Sequence, residues 1–248
     1  MKFAKVAVTA LVLAAAVAAV PAGAQEFKGK SAGDIVLRAR ALVVIPDEGG
    51  KVKSQGLSIG AANGLVDNAD YRAADFTTAV VPELDLSYFF TDNIAVEVIA
   101  GVTNHHLKVK AKGPLPAGGI LHDSINLGDV WLLPPTVTAQ YHFFTKERIS
   151  PYLGAGVNAT FFFGANKDSA LSKMSLSPSI GPALQAGVDI ALTGSLFLNL
   201  DVKKIWMNTD LKATLAPASN GPLGVTGPVK ASVDIDPWLV GVGIGYRF

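Results

Sequence analysis

Hydrophobic and polar residues alternate along most of this chain with a period of two, which is typical of β-strands whose two faces meet different surroundings. From Ile35 to Ile45 the odd-numbered residues are apolar, whereas Arg38 and Arg40 lie on the opposite face. Seven more segments follow this pattern, at about 75–89, 94–103, 131–144, 151–163, 180–192 and 196–208, and over the last residues to Phe248. The alternation therefore predicts an all-β protein with eight strands.

The links between these predicted strands alternate in length. Three links are short, at 91–93, 145–150 and 193–195, and the intervening links are long, at about 46–74, 104–130, 164–179 and 209–230. Outer-membrane barrels have short periplasmic turns and long extracellular loops, whereas a soluble β-sandwich has no reason to sort its loops in this way. The order of the links favours an eight-stranded antiparallel transmembrane β-barrel.

Half of the residues are hydrophobic, so a membrane-spanning helix is the alternative to consider. The longest uncharged stretch, 149–166, contains Pro151 and Gly154, and its apolar residues recur at every second position. This is the periodicity of a strand. Because every backbone polar group in lipid must be paired internally, a closed barrel is the alternative to helices.

The first residues have a different character. Two lysines within the first five residues precede an apolar run over 6–20, and small residues follow at 22–24. The run of about 15 residues is shorter than the roughly 20 that a transmembrane anchor needs. We therefore expect a cleaved signal peptide over 1–24 and a barrel domain over 25–248, located in the bacterial outer membrane.

Charge and cysteine content exclude some classes of function. Without the predicted signal peptide, nineteen basic residues face twenty acidic residues and no basic run remains, so a nucleic-acid partner is not expected. Cysteine is absent, so the exported chain must be stable without disulfides.

Several stretches are similar to the OmpW family. They read LSYFFTDNIAVE at 86–97, LPPTVTAQYHF at 133–143, PYLGAGVN at 151–158, PALQAGVD at 182–189, and DPW to GYRF at 236–248. The resemblance covers essentially the whole mature chain and is weakest at about 46–74 and 104–130. It implies an eight-stranded outer-membrane barrel from a family that is linked to the passage of small hydrophobic compounds.

The lumen of an eight-stranded barrel is just wide enough to be filled by side chains. Both ends of the chain must lie on the periplasmic side, which orders the inward residues by depth. Those nearer the periplasm carry charges of both signs and predict a lower plug formed by Arg38, Arg40, Glu83, Asp85, Glu97, His142, Asp189, Asp201 and Lys203. Those nearer the outside predict an apolar upper lumen formed by Leu42, Val44, Ala79, Val81, Leu132, Phe162 and Ile205.

An apolar pocket that is open to the outside and closed below suits a small hydrophobic ligand. Such a ligand would leave sideways into the bilayer, because the charged plug blocks the way down. The alternative is a structural or adhesive barrel without transport activity, whose loops act as a receptor surface. The lumen of that alternative should be polar throughout.

The candidates for catalysis are the histidines, since a hydrolase would need a serine, a histidine and a carboxylate brought together. Asp123 and Ser124 adjoin His122, but within a loop rich in glycine and proline. Adjacent His105 and His106 would face opposite sides of a strand, without an evident third metal ligand. The sequence therefore predicts no catalytic residue, no metal site and no cofactor, and assigns His142 to the plug.

Aromatic residues are expected at the two membrane interfaces. They are Tyr88, Phe89, Phe90, Tyr141, Phe143, Phe144, Trp238, Tyr246 and Phe248. The expected partners are outer-membrane lipid and lipopolysaccharide, a small hydrophobic ligand, and the outer-membrane insertion machinery. The machinery would recognise the C-terminal Phe248, because that residue ends a run of alternating apolar positions.

Overall fold

The structure is a computed structural model that describes residues 27–47, 49–53, 58–59, 62–63, 71–76, 78–111, 124–167, 171–215 and 225–248. The predicted signal peptide, His122 and Asp123 lie outside the described residues. No described segment is a helix with the length and apolar character needed to cross a membrane. The described strand segments are β1 (Ile35–Ile45), β2 (Gly49–Lys53), β3 (Ser58–Ile59), β4 (Ala62–Asn63), β5 (Tyr71–Phe76), β6 (Ala79–Phe89), β7 (Ile94–Gly101), β8 (Thr103–Ala111), β9 (Ser124–Leu133), β10 (Thr136–His142), β11 (Ile149–Lys167), β12 (Leu171–Leu176), β13 (Ser179–Ala191), β14 (Leu196–Ile205), β15 (Asn208–Leu215), β16 (Val225–Asp234) and β17 (Trp238–Arg247).

Eight antiparallel segments close into a ring. From β1 the hydrogen-bonded order is β6, β7, β10, β11, β13, β14 and β17. The last of these strands pairs again with β1, from Val36 opposite Arg247 to Ile45 opposite Trp238. Closure removes the free edges whose backbone groups would be unpaired in lipid. The predicted eight-stranded antiparallel barrel is confirmed.

In the membrane portion, the facing of polar and apolar residues is the reverse of that in a soluble β-protein. Charged and polar positions point into the lumen, whereas apolar side chains lie on the outer surface because lipid is their solvent. Val137 is 49% exposed, Val157 55% and Leu200 42%, and Val242 is half-buried. The apolar surface of this chain is therefore a membrane-facing band.

Aromatic residues mark the two borders of that band. Near the periplasmic turns, three pairs stand edge to face with ring centroids 4.9 Å apart, namely Tyr88–Phe90, Tyr141–Phe143 and Tyr246–Phe248. The three tryptophans of the chain, Trp131, Trp206 and Trp238, are exposed on the outer surface at the other border. Phe89 differs from the prediction, because it is fully buried in the lumen against His142.

The long connections are not loops throughout. Seven segments continue the wall beyond the tryptophans: β2, β5, β8, β9, β12, β15 and β16. These segments belong to the long extracellular connections that the sequence predicted, and they are strands over the ranges given above. Above the lipid the outward residues are polar, for example the exposed Asn208, Asp210 and Lys212 on β15. The alternation of apolar outward and polar inward residues, which identifies a membrane strand, is therefore absent there.

In one stretch of the upper wall, the strand registers of the described residues do not pair the two neighbouring segments, the outer part of β11 and β12. The ladder between β11 and β13 ends where Thr160 lies opposite Ser179. Further out, Phe161–Lys167 of β11 pair with β9, whereas β12 pairs with β15. The registers of the described residues do not pair these two segments with each other. We call this place the seam. Gly164, with a φ of 59°, lies on the β11 side at a bulge, and Pro178, which has no N–H to donate, lies at the base of the β12 side.

Glycines on the inner face make room for large lumenal side chains. A Cβ atom at Gly243 would meet the carbonyl oxygen of Ala39 and the backbone of Arg40, and one at Gly245 would meet the ring of Phe197. On β17 the glycines therefore fall on the inward positions, between outward Val242 and Ile244.

Replacing Gly243 by alanine should destabilise the barrel by about 1–3 kcal/mol, because the new Cβ collides with rigid backbone. Urea unfolding of the refolded barrel in detergent micelles measures this change. Gly101→Ala is the matched control, since a Cβ there meets only the Pro82 carbonyl oxygen at 3.4 Å. Equal stability of the two variants would contradict the packing argument.

Candidate functional site

The strand alternation brings the nine residues of the predicted plug together in the lower lumen. Each is at most 5% exposed to solvent: Arg38, Arg40, Glu83, Asp85, Glu97, His142, Asp189, Asp201 and Lys203. A buried charge is tolerated only when it is paired and hydrogen-bonded. The contacts of the cations therefore decide whether this cluster is balanced.

Arg40 is the central cation of the plug. Its guanidinium lies 2.9 Å from Glu83, 2.6 Å from Asp85, 3.0 Å from Glu97 and 3.2 Å from Asp201. These carboxylates come from three other strands, β6, β7 and β14. One side chain of β1 thus links strands that are distant in sequence across the lumen.

Arg38 forms a second centre closer to the periplasm. Its Nη2 atom lies 3.0 Å from Asp189, while Nη1 lies 3.3 Å from both Asp85 and Glu97. Nη1 also donates a hydrogen bond of 2.6 Å to the Ser87 hydroxyl. The two arginines share two of their carboxylates, so the plug is one connected network.

Two lysines add further positive charge to the plug. Lys203 Nζ lies 2.6 Å from Glu83 and 3.1 Å from Asp201. Lys30, which the sequence analysis missed, donates hydrogen bonds of 2.7 Å to Asp189 and 3.0 Å to Ser150. Burial lowers the pKa of Lys30 to about 8, and Asp189 acts in the opposite direction. Four basic side chains thereby meet five carboxylates.

Neutral side chains fill the space that the charges leave. The Gln185 amide donates to Glu97 at 2.9 Å and to Asp201 at 2.8 Å. The Tyr152 hydroxyl donates to Asp201 at 2.6 Å. Gln140 donates to Glu97 at 2.8 Å. The lower lumen is therefore a solid hydrogen-bonded layer, which does not match a continuous aqueous pore.

The segment that precedes β1 crosses the periplasmic end of the barrel, and we call residues 28–34 the strap. The backbone N–H of Lys30 donates to the Thr145 carbonyl at 2.8 Å, and that of Gly33 donates to Phe89 at 2.8 Å. Lys146 Nζ donates to the Lys30 carbonyl at 2.8 Å. These bonds hold the Lys30 side chain in its position beneath the plug.

Above the plug lies an apolar cavity of about 740 Å³, including its part that is open to the outside. Five residues of the predicted upper lumen line it and are at most 8% exposed: Leu42, Val44, Val81, Leu132 and Ile205. Ala79 and Phe162 are half-buried and pack against the same cluster without lining the cavity. The structure thus places all seven residues in one apolar region.

The cavity also contains residues that sequence reasoning did not find. Ile235 and Pro237 come from the connection between β16 and β17, and Leu239 is an inward residue of β17. Residues of irregular links have no period that would reveal their direction. At the base, Thr103, Thr136, Thr160, Glu83 and Lys203 line the cavity and join it to the plug.

The described histidines lie in different parts of the barrel. His105 is buried and lines the cavity, whereas its neighbour His106 is partly exposed and lies 2.9 Å from Asp129. His142 belongs to the plug, where Lys30 Nζ lies 2.8 Å from its Nδ1. Within the part of the chain that the structure describes, no three metal-binding side chains gather.

Comparison with protein families and curated relatives gives consistent matches. The model of the OmpW family matches residues 31–248. Outer membrane protein W of Escherichia coli (strain K12) is 32% identical, with 88% of this chain and 89% of the relative covered. Outer membrane protein AlkL of Ectopseudomonas oleovorans is 31% identical over 77% of this chain and 74% of the relative. The dibenzothiophene metabolism operon protein PahQ of Pseudomonas aeruginosa is 29% identical over 75% of each chain.

Solved structures agree with the fold. The crystal structure of the outer membrane protein OprG from Pseudomonas aeruginosa matches with a TM-score of 0.69 and 29% identity, covering 90% of this chain and 99% of that one. The solid-state NMR structure of AlkL in lipid bilayers matches with a TM-score of 0.55 and 28% identity, covering 90% and 93%. The predicted location in the bacterial outer membrane is confirmed by these relatives.

Arg40→Met should destabilise the barrel by about 3–5 kcal/mol, because it leaves buried carboxylates without their shared cation. Urea unfolding in micelles again measures the change. Arg148→Gln is the control, since Arg148 is exposed at the periplasmic end, and loss of an exposed charge costs about 1 kcal/mol or less. Adding Glu97→Gln to Arg40→Met should restore part of the stability. A loss no larger than that of the control would contradict the role given to Arg40.

Proposed function

Since this chain belongs to the OmpW family of outer-membrane proteins, we propose that it carries small hydrophobic molecules across the outer membrane. The molecule binds in the apolar cavity and leaves sideways into the bilayer. The observation that carries this proposal is the change of lumen character along the barrel axis. The upper lumen is apolar and contains a cavity, whereas the lower lumen is charged and filled.

The cavity has the properties of a site for a small apolar ligand. Its wall is formed by aliphatic side chains such as Leu42, Leu132 and Ile205, and small-molecule sites are lined mostly by apolar side chains of this kind. Its polar lining consists of the side chains at its base and of His105, which lies further out on β8. A hydrophobic molecule gains burial of its surface against the aliphatic wall.

The plug closes the direct path to the periplasm for such a molecule. To pass downward, it would have to separate Arg40 from its carboxylates and insert apolar surface among buried charges. Uncompensated buried charge costs several kcal/mol per ion. An apolar ligand cannot solvate the separated groups, so this path is unfavourable.

The seam supports a sideways exit. Its lower end is formed by Thr160, which lines the base of the cavity, and Ser179. Outward-facing Phe161, Phe163 and Ile180 beside it are exposed on the membrane-facing surface. An opening there would let the ligand move from one apolar environment to another, without crossing the plug.

The name of one relative refers to an apolar compound, which supports a hydrophobic ligand for the cavity. PahQ is a dibenzothiophene metabolism operon protein, and dibenzothiophene is an apolar aromatic molecule. A compound of this kind fits an aliphatic cavity. We infer that the protein acts by binding and passage, as an outer-membrane barrel of the OmpW family.

Leu132→Asp should lower protein-dependent uptake of dibenzothiophene by whole cells on the order of tenfold, because it places a charge in the wall of the apolar cavity. Leu132→Met is the matched control, since it conserves volume and apolar character. Equal amounts of folded barrel in the outer membrane must be verified for both variants. Uptake unchanged by the aspartate would favour the structural or adhesive barrel instead.

Cross-linking tests the exit route separately. Phe163→Cys and Ser175→Cys place thiols on the outer surface at the two sides of the seam, in a chain that has no other cysteine. Joining them with a short cleavable linker should reduce dibenzothiophene uptake, and cleavage should restore it. The control joins Ser175→Cys to Lys212→Cys, which lie opposite each other in the paired β12 and β15. Equal uptake with the seam linked or open would refute the sideways route.

A further inference from the structure

Lys203 places a charged group at the base of the apolar cavity. Its side chain lines the cavity and is only 1% exposed to solvent. Within the described part of the chain, its Nζ atom contacts two carboxylates, Glu83 at 2.6 Å and Asp201 at 3.1 Å. An ammonium group has three N–H donors. One donor of Lys203 is therefore left for a further acceptor.

Two threonines at the base of the cavity have already used their own donors. Thr136 donates to the Pro134 carbonyl at 3.2 Å, and Thr160 donates to the side-chain oxygen of Asn158 at 2.8 Å. Both threonines line the cavity. A hydroxyl has one donor and two acceptor lone pairs, so these groups can still accept a hydrogen bond. Among these three side chains, only Lys203 has a donor to offer to a ligand.

A ligand that is apolar over its whole length would cover this donor without supplying an acceptor. A buried polar group without a hydrogen bond is costly. Above the base, Leu42, Leu132 and Ile205 offer an aliphatic wall to the rest of the ligand. The cavity therefore suits a molecule with an apolar body and a hydrogen-bond acceptor at its lower end.

The charges around Lys203 decide which kind of acceptor is favoured. By formal charge, the four basic side chains of the plug meet five carboxylates, so negative charge is in excess. Two of these carboxylates, Glu83 and Asp201, already contact Lys203. A ligand carboxylate would bring a third anion to the same ammonium group, and like charges repel strongly where water is excluded. A neutral oxygen accepts the hydrogen bond without adding charge.

We propose that the preferred ligands are neutral oxygenated hydrocarbons, such as an alcohol or a ketone on an apolar body, whose oxygen accepts a hydrogen bond from Lys203. The apolar body lies against the aliphatic wall, and the hydroxyl of an alcohol donates to a threonine oxygen at the base. Lys203 is thereby a specificity-determining residue, which selects the chemical class and the orientation of the ligand. This inference rests on the proposed function, because it names the class of molecule that the same cavity takes.

The test compares two probes of similar shape that carry their group at the same ring position. Acetonaphthone has a carbonyl oxygen where isopropenylnaphthalene has a methylene group. Binding is measured to the full barrel in lipid nanodiscs, and empty nanodiscs correct for partition into lipid. Because the ketone has no hydrogen to donate, a carboxylate at the base cannot hydrogen-bond it, and the comparison reports on the Lys203 donor.

The double variant Lys203→Met with Glu83→Met removes the donor and leaves the net charge of the plug unchanged. Apolar replacement of a buried ion pair is often tolerated, and Arg40 keeps Asp85, Glu97 and Asp201 as partners. The variant should bind acetonaphthone on the order of tenfold more weakly, and isopropenylnaphthalene no more weakly than the original chain does.

The matched control removes one acidic and one basic residue away from the cavity. Glu147→Met with Arg148→Met changes two residues that are exposed at the periplasmic end. This control should bind both probes like the original chain. If the Lys203 variant, shown to be folded by its heat-modifiable migration, retains full affinity for the ketone, the inference is overturned, whereas the proposed function stands.

A third probe tests the preference for a neutral oxygen on the original chain, and so does not depend on the folding of a variant. Naphthoate, with its carboxylate at the same ring position, should bind on the order of tenfold more weakly than acetonaphthone. Equal or tighter binding of naphthoate overturns the inference, because the base of the cavity would then be an anion site. If neither neutral probe binds the original chain, the proposed function fails and this inference fails with it.

Discussion

The narrow lumen of a barrel with only eight strands is the constraint on which the rest of the structure depends. In lipid the strands must close to pair their backbone groups, and eight of them enclose a space that is only wide enough for side chains or for one small ligand. Every inward position is then in contact with side chains from the opposite wall. A charged residue such as Arg40 on β1 consequently meets carboxylates of β6, β7 and β14, and glycines of β17 are needed where such a side chain lies against the wall.

The same constraint explains why the lumen has two zones. A filled lumen can hold charges only as a fully paired network, and that network occupies the lower half of the barrel. An apolar cavity can form only where the inward side chains are shorter or absent, as between Leu42, Leu132 and Ile205. The seam begins at the height of this cavity, at Thr160. The chemistry of the lumen and the pairing of the wall strands therefore both change at the height of Thr160, so the two ends of the barrel differ.

Sequence alternation predicted the membrane strands because lipid and lumen impose opposite chemistry on alternate residues. It also ordered Arg38, Arg40 and Leu42 by depth, since successive inward positions on one strand rise along the axis. It could not find Lys30, because the strap has no period and lies outside any strand. It treated β12, β15 and β16 as loops for a different reason: water surrounds their outward face, so the apolar signal is missing. Ile235 was not recognised because it lies in the irregular link before β17, where no period indicates the direction of a side chain.

The position of the strap has a consequence for the order of folding. β1 pairs with β6 on one side and with β17, at the other end of the sequence, on the other. The ladder between β1 and β17 has the largest sequence separation of the ring, and contacts of high contact order form late. Lys30 is five residues before β1 and reaches β13 through Asp189. Its hydrogen bonds to Ser150 and Asp189 add contacts of long sequence separation to those of the β1–β17 ladder. The strap is thus a connection between the start of β1 and the opposite wall, in addition to the two ladders that β1 forms with its neighbours.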